Sequence, residues 1–329
     1  MDQTGLLNRF HTLFFEHLET HTAREFLRQL GLGLEKHPRA LPGVENRVFG
    51  CASGDLGQFV LKFYRPGRWP EAVVREEVLL VQFLSEAGLS VPPPLLLAGC
   101  LLNSWHGVTC VAFRAVPAPA GTRADLVPAE ISRVGELIGR LHRLIASRRF
   151  AHRSPFSPIN LTSTSQHLLL GAIPVAFHQR LRRCVCALEA SFLGYSRVPR
   201  QLIHGDLGCW NLMWANGVPW VIDFDDACIG SVIQELVYFA DSVENPDLRE
   251  DEVWEALLAG YTREIDFDPA WWSFREPIRA LRQLSLLQWS VARSTDPRFV
   301  HFEPDYGSTT YWEIQLRRLE RLVSAVARG

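Results

Sequence analysis

The dipeptide Asn216-Gly217 stands between two short apolar runs, residues 212–214 and 220–222. Asn-Gly suits the two left-handed central positions of a tight hairpin turn, so this is a strong local hairpin signal. Such a ribbon fixes its flanks. Asn211 lies just before the first arm and Asp223 just after the second. Folding about the turn predicts that the two stand nearly opposite each other at the open end, with Cβ atoms roughly 5 Å apart.

Upstream, the chain reads His204-Gly205-Asp206-Leu207-Gly208-Cys209-Trp210-Asn211. Asp206 therefore sits on the loop entering the ribbon. Each of these residues alone is a common turn-former. Jointly they form a pattern: Asp, four residues, Asn, a hairpin, then an apolar strand ending in Asp. Amide and carboxylate oxygens at that separation suit Mg²⁺, which takes a few such ligands and completes its octahedron with water and phosphate. A second carboxylate at the same place suits a base that orients and deprotonates an attacking hydroxyl. The pattern predicts phosphoryl transfer from ATP with Mg²⁺, with Asp206 and Asp223 catalytic and Asn211 and Asp223 on the metal.

The lysines point the same way. Among 34 basic residues only Lys36 and Lys62 are lysine. Lysine is a compact point charge, whereas arginine is a planar fork. Lys62 lies in an apolar strand, residues 58–64, where an unpaired charge is costly. Its bland reading is an edge-strand lysine whose head reaches solvent. The functional reading places it on nucleotide phosphates, paired with a glutamate of the next helix. That helix offers Glu76 and Glu77, and periodicity does not choose between them. No Gly-rich phosphate loop precedes Lys62, so the hairpin at 44–55, with Asn46, Ser53 and Gly54, is expected to cover the nucleotide. Phe113 and Ala115, at the end of the strand 108–113 and in the segment 114–116, are expected to meet the adenine at a hinge.

Around these residues the elements fall into two groups. Residues 6–30 read as a helix with Leu6, Phe10, Leu13, Phe14 and Leu18 on one face. A hairpin with arms 44–49 and 58–64 follows, turning at Ser53-Gly54-Asp55. A helix starts at Pro70 and stops at Gly88, and strands are expected at 95–102 and 108–113. The Pro- and Ala-rich stretch 117–121 reads as a hinge. From Glu130 the pattern is helical, with Ile131, Val134, Leu137, Ile138, Leu141 and Ile145 in register. Residues 154–165, rich in Ser, Thr and Pro, read as loop. Helices are expected near 174–193, 231–243, 250–263, 275–293 and 309–327. Strands with one helix, then mostly helices, argue for an α+β fold rather than alternating βαβ units. The expected architecture is bilobal and protein-kinase-like. A small antiparallel-sheet N-lobe spans 1–115 and a mainly helical C-lobe spans 116–329.

Composition removes other classes. A net charge of −2 gives no bias toward nucleic acid. The seven cysteines are scattered, with no CxxC pair, against a disulfide framework or zinc site. No apolar run reaches the roughly 20 residues that span a bilayer, and no signal peptide is read at the N-terminus. A cytoplasmic enzyme is expected. His142, His152 and His204 lack metalloprotease spacing, and His142 and His204 read as structural. The acidic residues between Asp241 and Glu255 read as a solvated face or as an attractor for a cationic substrate.

The stretch from His204-Gly205-Asp206 through Asn211 to Asp223 resembles the aminoglycoside phosphotransferase and choline kinase superfamily. Several further segments are similar to one branch, the bacterial stress response kinase A (RdoA-type) Ser/Thr kinases. They include residues 44–49, the run Lys62-Phe63-Tyr64-Arg65-Pro66-Gly67-Arg68-Trp69, Asp225-Asp226-Ala227 and residues 276–280. The resemblance implies Asp206 as base, Asn211 and Asp223 as Mg²⁺ ligands, and Lys62 on the ATP phosphates with Glu77 as its partner. It also implies Asp225 as a second carboxylate near the metal. Trp210 is bulkier than the family loop, and Glu235 stands where Asp commonly anchors that loop. The acceptor implied is a protein Ser/Thr, with an aminoglycoside, choline or homoserine-like molecule as the alternative and a nucleotide-binding pseudokinase as the second. No activation loop follows Asp223, so no phosphorylation there is expected to be needed.

Overall fold

The computed structural model describes residues 3–117, 122–153, 155–193, 195 and 198–326. The expected hinge at 117–121 lies almost wholly outside them. The chain divides into two compact units. One comprises Met1–Gly121 with Met213–Asp225, the other Thr122–Leu212 with Asp226–Gly329.

In chain order the first unit has α1 (Gln3–Glu16), α2 (Thr20–Gln29), β1 (Arg39–Leu41), β2 (Arg47–Ser53), β3 (Gly57–Phe63), α3 (Glu71–Glu86), β4 (Pro94–Leu95), β5 (Asn103–Trp105) and β6 (Val108–Arg114). The strands form an antiparallel sheet in the order β1-β2-β3-β6-β4, with β5 also on β6. The expected single helix over 6–30 is two helices, because the chain breaks between Glu16 and Thr20. Leu18, in that break, is fully buried with Phe15, Phe26 and Leu27 against Phe49, Phe59 and Phe63 of the sheet. Phe10 and Leu13 of the expected apolar face are about half exposed instead. The strand expected over 95–102 ends at Leu95. Leu97 and Cys100 bridge each other across a turn in which Ala98 and Gly99 have φ of 49° and 79°.

The chain continues with α4 (Pro128–Ile145), α5 (Pro158–Ala172), α6 (His178–Ser191), β7 (Arg200–Ile203), β8 (Leu212–Ala215), β9 (Val218–Val221), β10 (Cys228–Ser231), α7 (Val232–Ala240), α8 (Glu250–Tyr261), α9 (Arg275–Arg293), α10 (Phe299–Phe302) and α11 (Thr309–Val326). Here α5 replaces the loop expected at 154–165. Ser157 caps it by accepting the Asn160 N–H at 3.3 Å, and Pro158 occupies the first turn, where a missing N–H costs nothing. The apolar stripe of α4 is buried as expected. Helices α4 and α8 touch backbone to backbone: a Cβ on Gly260 would lie 1.8 Å from the Ser132 carbonyl oxygen.

Strands β8 and β9 pair as expected about Asn216-Gly217, whose φ angles of 52° and 75° are those of the mirror-image turn. The Val221 N–H donates to the Ser90 carbonyl at 2.9 Å, tying the ribbon to the segment after α3. That bond helps to explain why Met213–Asp225 belongs to the first unit. Among the described residues no helix is long and apolar enough to cross a membrane.

Candidate active site

In the first unit Lys62 occupies the middle of β3, paired with Val48 on one side and Val111 on the other. A central strand gives its side chain no edge to escape from, and Lys62 is 6% exposed. Its ammonium donates to Asp223 Oδ1 at 2.6 Å and to Glu77 Oε1 at 3.2 Å, with Asp225 Oδ2 at 3.7 Å. Burial works to discharge the lysine, but Asp223, Asp225 and Glu77 outweigh it and hold the pKa well above the ordinary value. The choice left open between Glu76 and Glu77 falls on Glu77, which is 1% exposed and also accepts the Tyr64 hydroxyl at 3.0 Å.

Asp223 has a φ of 66°, a left-handed backbone that asparagine and aspartate tolerate better than most residues. Its side chain is 41% exposed, whereas that of Asp225 is 4% exposed. Asp225 is held by Asn46 Nδ2 at 2.8 Å and Arg68 Nη1 at 2.7 Å. The side chain of Asn46 is thus turned to Asp225, and its Oδ1 accepts the Arg65 N–H. Ser53 Oγ accepts the Leu56 N–H, a turn contact. Phe113 lies on β6 and the Ala115 N–H donates to the Gln58 carbonyl, so both stand next to β3. Arg68 and Arg65 carry a role that sequence reasoning missed. Arg68 joins Glu45 and Asp225, and Arg65 joins Glu45 and Val44. The run that follows Lys62 therefore pins the start of β2 to the segment after β9.

In the second unit Asp206 lies on the loop after β7. Its Oδ2 accepts Trp210 Nε1 and Asn211 Nδ2, each at 3.2 Å, and its Oδ1 accepts Arg282 Nη2. Asn211 Nδ2 also donates to the Asp206 carbonyl at 2.9 Å. With the amide nitrogen turned inward, the oxygen of Asn211 is the end left for a cation. Burial works against the Arg282 charge, but Asp206 and the neighbouring groups raise its pKa above the ordinary value.

The loop is held from beneath by Glu235 of α7. Its Oε1 accepts the Gly205 N–H at 3.0 Å and its Oε2 the His204 N–H at 3.1 Å. His142 Nε2 is 2.6 Å from the same Oε2 and must carry the proton, since a carboxylate only accepts. His142 Nδ1 then faces the Tyr261 hydroxyl at 3.1 Å. The glutamate that departs from the family pattern thus serves as the loop's anchor, and both histidines are structural. His204 Nδ1 accepts the Asp206 N–H at 3.3 Å. Gly205 is required at its position: φ is 86°, and a Cβ would stand 2.2 Å from the Asp226 carbonyl oxygen. The acidic residues around α8 are partly drawn into ion pairs, with Arg279 holding Asp241 and Glu250, and Arg249 holding Asp251.

Within the first unit the half-exposed Asp223 carboxylate, and within the second the Asn211 amide oxygen, are each the kind of oxygen ligand that Mg²⁺ accepts beside phosphate and water. Among the described residues no three His, Cys, Asp or Glu side chains form a self-sufficient metal site.

The chain is 29% identical over 311 residues to the serine/threonine protein kinase RdoA of Salmonella typhimurium strain LT2, covering 92% of this chain and 91% of the relative. It is 28% identical over 308 residues to stress response kinase A of Escherichia coli K12, covering 91% and 90%. Among solved structures, an amicoumacin kinase in complex with AMP-PNP, Ca²⁺ and Ami superposes with a TM-score of 0.71 at 18% identity, over 92% of this chain and 93% of that one. Residues 38–275 match the phosphotransferase enzyme family, and the chain belongs to that family.

Proposed function

We propose that this phosphotransferase is a Mg²⁺- and ATP-dependent Ser/Thr protein kinase. The observation that carries the reading is the state of Asp206: its carboxylate is fixed by three side-chain donors, one of them the amide nitrogen of Asn211. That is the preparation a base needs to receive a hydroxyl proton in one orientation. In this reading Asp206 takes the proton of the attacking hydroxyl. Lys62, held by Glu77, binds the nucleotide phosphates. Mg²⁺, when bound by Asn211 and Asp223, would neutralise the charge of the transferring phosphoryl group. Asn46 and Ser53 would shape the turn region over the nucleotide through the backbone. Phe113 and Ala115 would line the adenine.

Likeness over about nine-tenths of the chain to a protein named as a Ser/Thr kinase supports the protein acceptor. The short path from Asp226 through β10 into α7 supports activity without activation-loop phosphorylation. Seven free cysteines fit a reducing, cytoplasmic setting. The test is transfer of labelled γ-phosphate from ATP, with a protein mixture and a panel of amino alcohols and aminoglycosides present together. Label on protein hydroxyls supports the reading. Label on a small molecule alone replaces the acceptor, and loss of magnesium dependence removes the metal assignment.

A further inference from the structure

Arg282 lies on α9, 76 residues beyond Asp206. Two other arginines of the same helix are engaged elsewhere, Arg275 with Glu250 and Glu276, and Arg279 with Asp241, Glu250 and Glu276. Arg282 alone of the three turns to Asp206. Its guanidinium stands over two rings, 4.4 Å from the Tyr238 centroid and 5.4 Å from that of Trp210. Trp210 in turn donates to the other oxygen of Asp206 at 3.2 Å. The three side chains close a triangle in which the plane of the guanidinium is set by aromatic faces. An arginine held this way presents its donors at a fixed angle, with little rotamer freedom left to lose.

We infer that Arg282 is a positioning residue for Asp206 and directs the acceptor hydroxyl to Oδ1. This rests on the reading of Asp206 as the base. An ionised carboxylate offers about four lone-pair directions, two on each oxygen. Trp210 and Asn211 fill both directions on Oδ2, and Arg282 fills one on Oδ1. One direction remains, on Oδ1 beside the guanidinium. A hydroxyl donating there is held in a single orientation, and its proton passes to Oδ1 as its oxygen attacks. Trp210, 44% exposed, supplies an indole surface next to this position.

The test uses the full-length protein with ATP and Mg²⁺, water serving as acceptor and phosphate release as the readout. Arg282→Gln is expected to release phosphate about 10- to 100-fold more slowly, since small misplacements of reacting groups cost about that much. ADP affinity is expected to stay within about two-fold of the wild type, the guanidinium having no assigned contact to nucleotide. Arg282→Ala is expected to recover turnover when guanidinium ion is added at millimolar concentration and not when sodium is added. Arg282→Lys, which keeps the charge and loses the fork, is expected to fall between Gln and wild type, and it carries the test if Gln does not fold. Wild-type turnover in Arg282→Gln, or in Arg282→Lys in its place, would overturn the inference, as would a parallel loss of ADP affinity. A wild-type protein that binds ADP yet releases no phosphate would instead remove Asp206 as base, and the inference with it.

Discussion

Lys62 stands closer to the Asp223 carboxylate, at 2.6 Å, than to that of Glu77, at 3.2 Å. The ammonium thus bridges a buried glutamate and an aspartate that is 41% exposed. In the proposed function nucleotide phosphates would compete with Asp223 for it, while Glu77 would keep the lysine in place.

Lys62→Met leaves Glu77 and Asp225, both nearly fully buried, facing each other without the ammonium. Breaking a buried ion pair by deleting one partner typically costs about 3–5 kcal/mol. Glu77→Gln costs less, about 1–3 kcal/mol, because Lys62 retains both aspartates. Urea unfolding of the two variants should give that order. Equal stability of Lys62→Met and wild type would mean that the cluster is not held by the ammonium.

Asp206→Asn keeps the size of the side chain and removes its basicity. Phosphate transfer should fall by about 10²–10⁴-fold, the usual worth of a general base. ADP affinity measured by calorimetry should change little. A variant that transfers phosphate at the wild-type rate removes Asp206 from the chemistry.

Glu235 ties the loop to acid stability. Burial pushes its pKa up, but His142 and the His204 N–H outweigh that, and the folded value lies below the ordinary 4.5. The sign follows: a carboxylate with a depressed folded pKa stabilises the native state above its unfolded pKa, and that contribution is lost as pH falls through the folded value. Unfolding free energy should therefore drop below about pH 4.5. Glu235→Gln should be less stable at neutral pH and should flatten that acid limb. An unchanged acid limb in the variant would show that the contribution comes from elsewhere.

Gly205→Ala probes the left-handed residue of the loop. The backbone alone costs about 1–2 kcal/mol there, and the added carbon must also push the Asp226 carbonyl away from 2.2 Å. The expected outcome is a fall in the thermal midpoint together with lost phosphate transfer. A stable, active alanine variant would mean that the loop accommodates a side chain without consequence.

The ribbon and its flanking polar residues were legible because their relations are local. Asn216-Gly217 fixes a turn, and Asn211 and Asp223 follow from counting along two short strands. The anchor at Glu235 was legible as a departure from a pattern, though its partner His142 lies 93 residues away and only the tertiary fold unites them. Arg282 had no local signal, and Arg68 had only its place in the run after Lys62, which named no partner for it. Their partners lie 76 and 157 residues distant, and an arginine on a helix or in a turn looks like any other until the fold is known. The errors at α5 and at the break before Thr20 each have a local cause. Ser, Thr and Pro mark helix starts as readily as loops, and one apolar stripe can be drawn through two helices when the residue between them, Leu18, is itself buried.

The return of Met213–Asp225 to the first unit bears on how such a protein can be inherited. A gene fragment ending near codon 121 would encode the whole six-stranded sheet but neither aspartate that Lys62 touches, and its complement would carry those aspartates away from their lysine. Recombination at that boundary therefore passes on two incomplete pieces. Exchange of the two units between relatives would require three simultaneous junctions, so diversification of this chain is expected to proceed by point substitution within it.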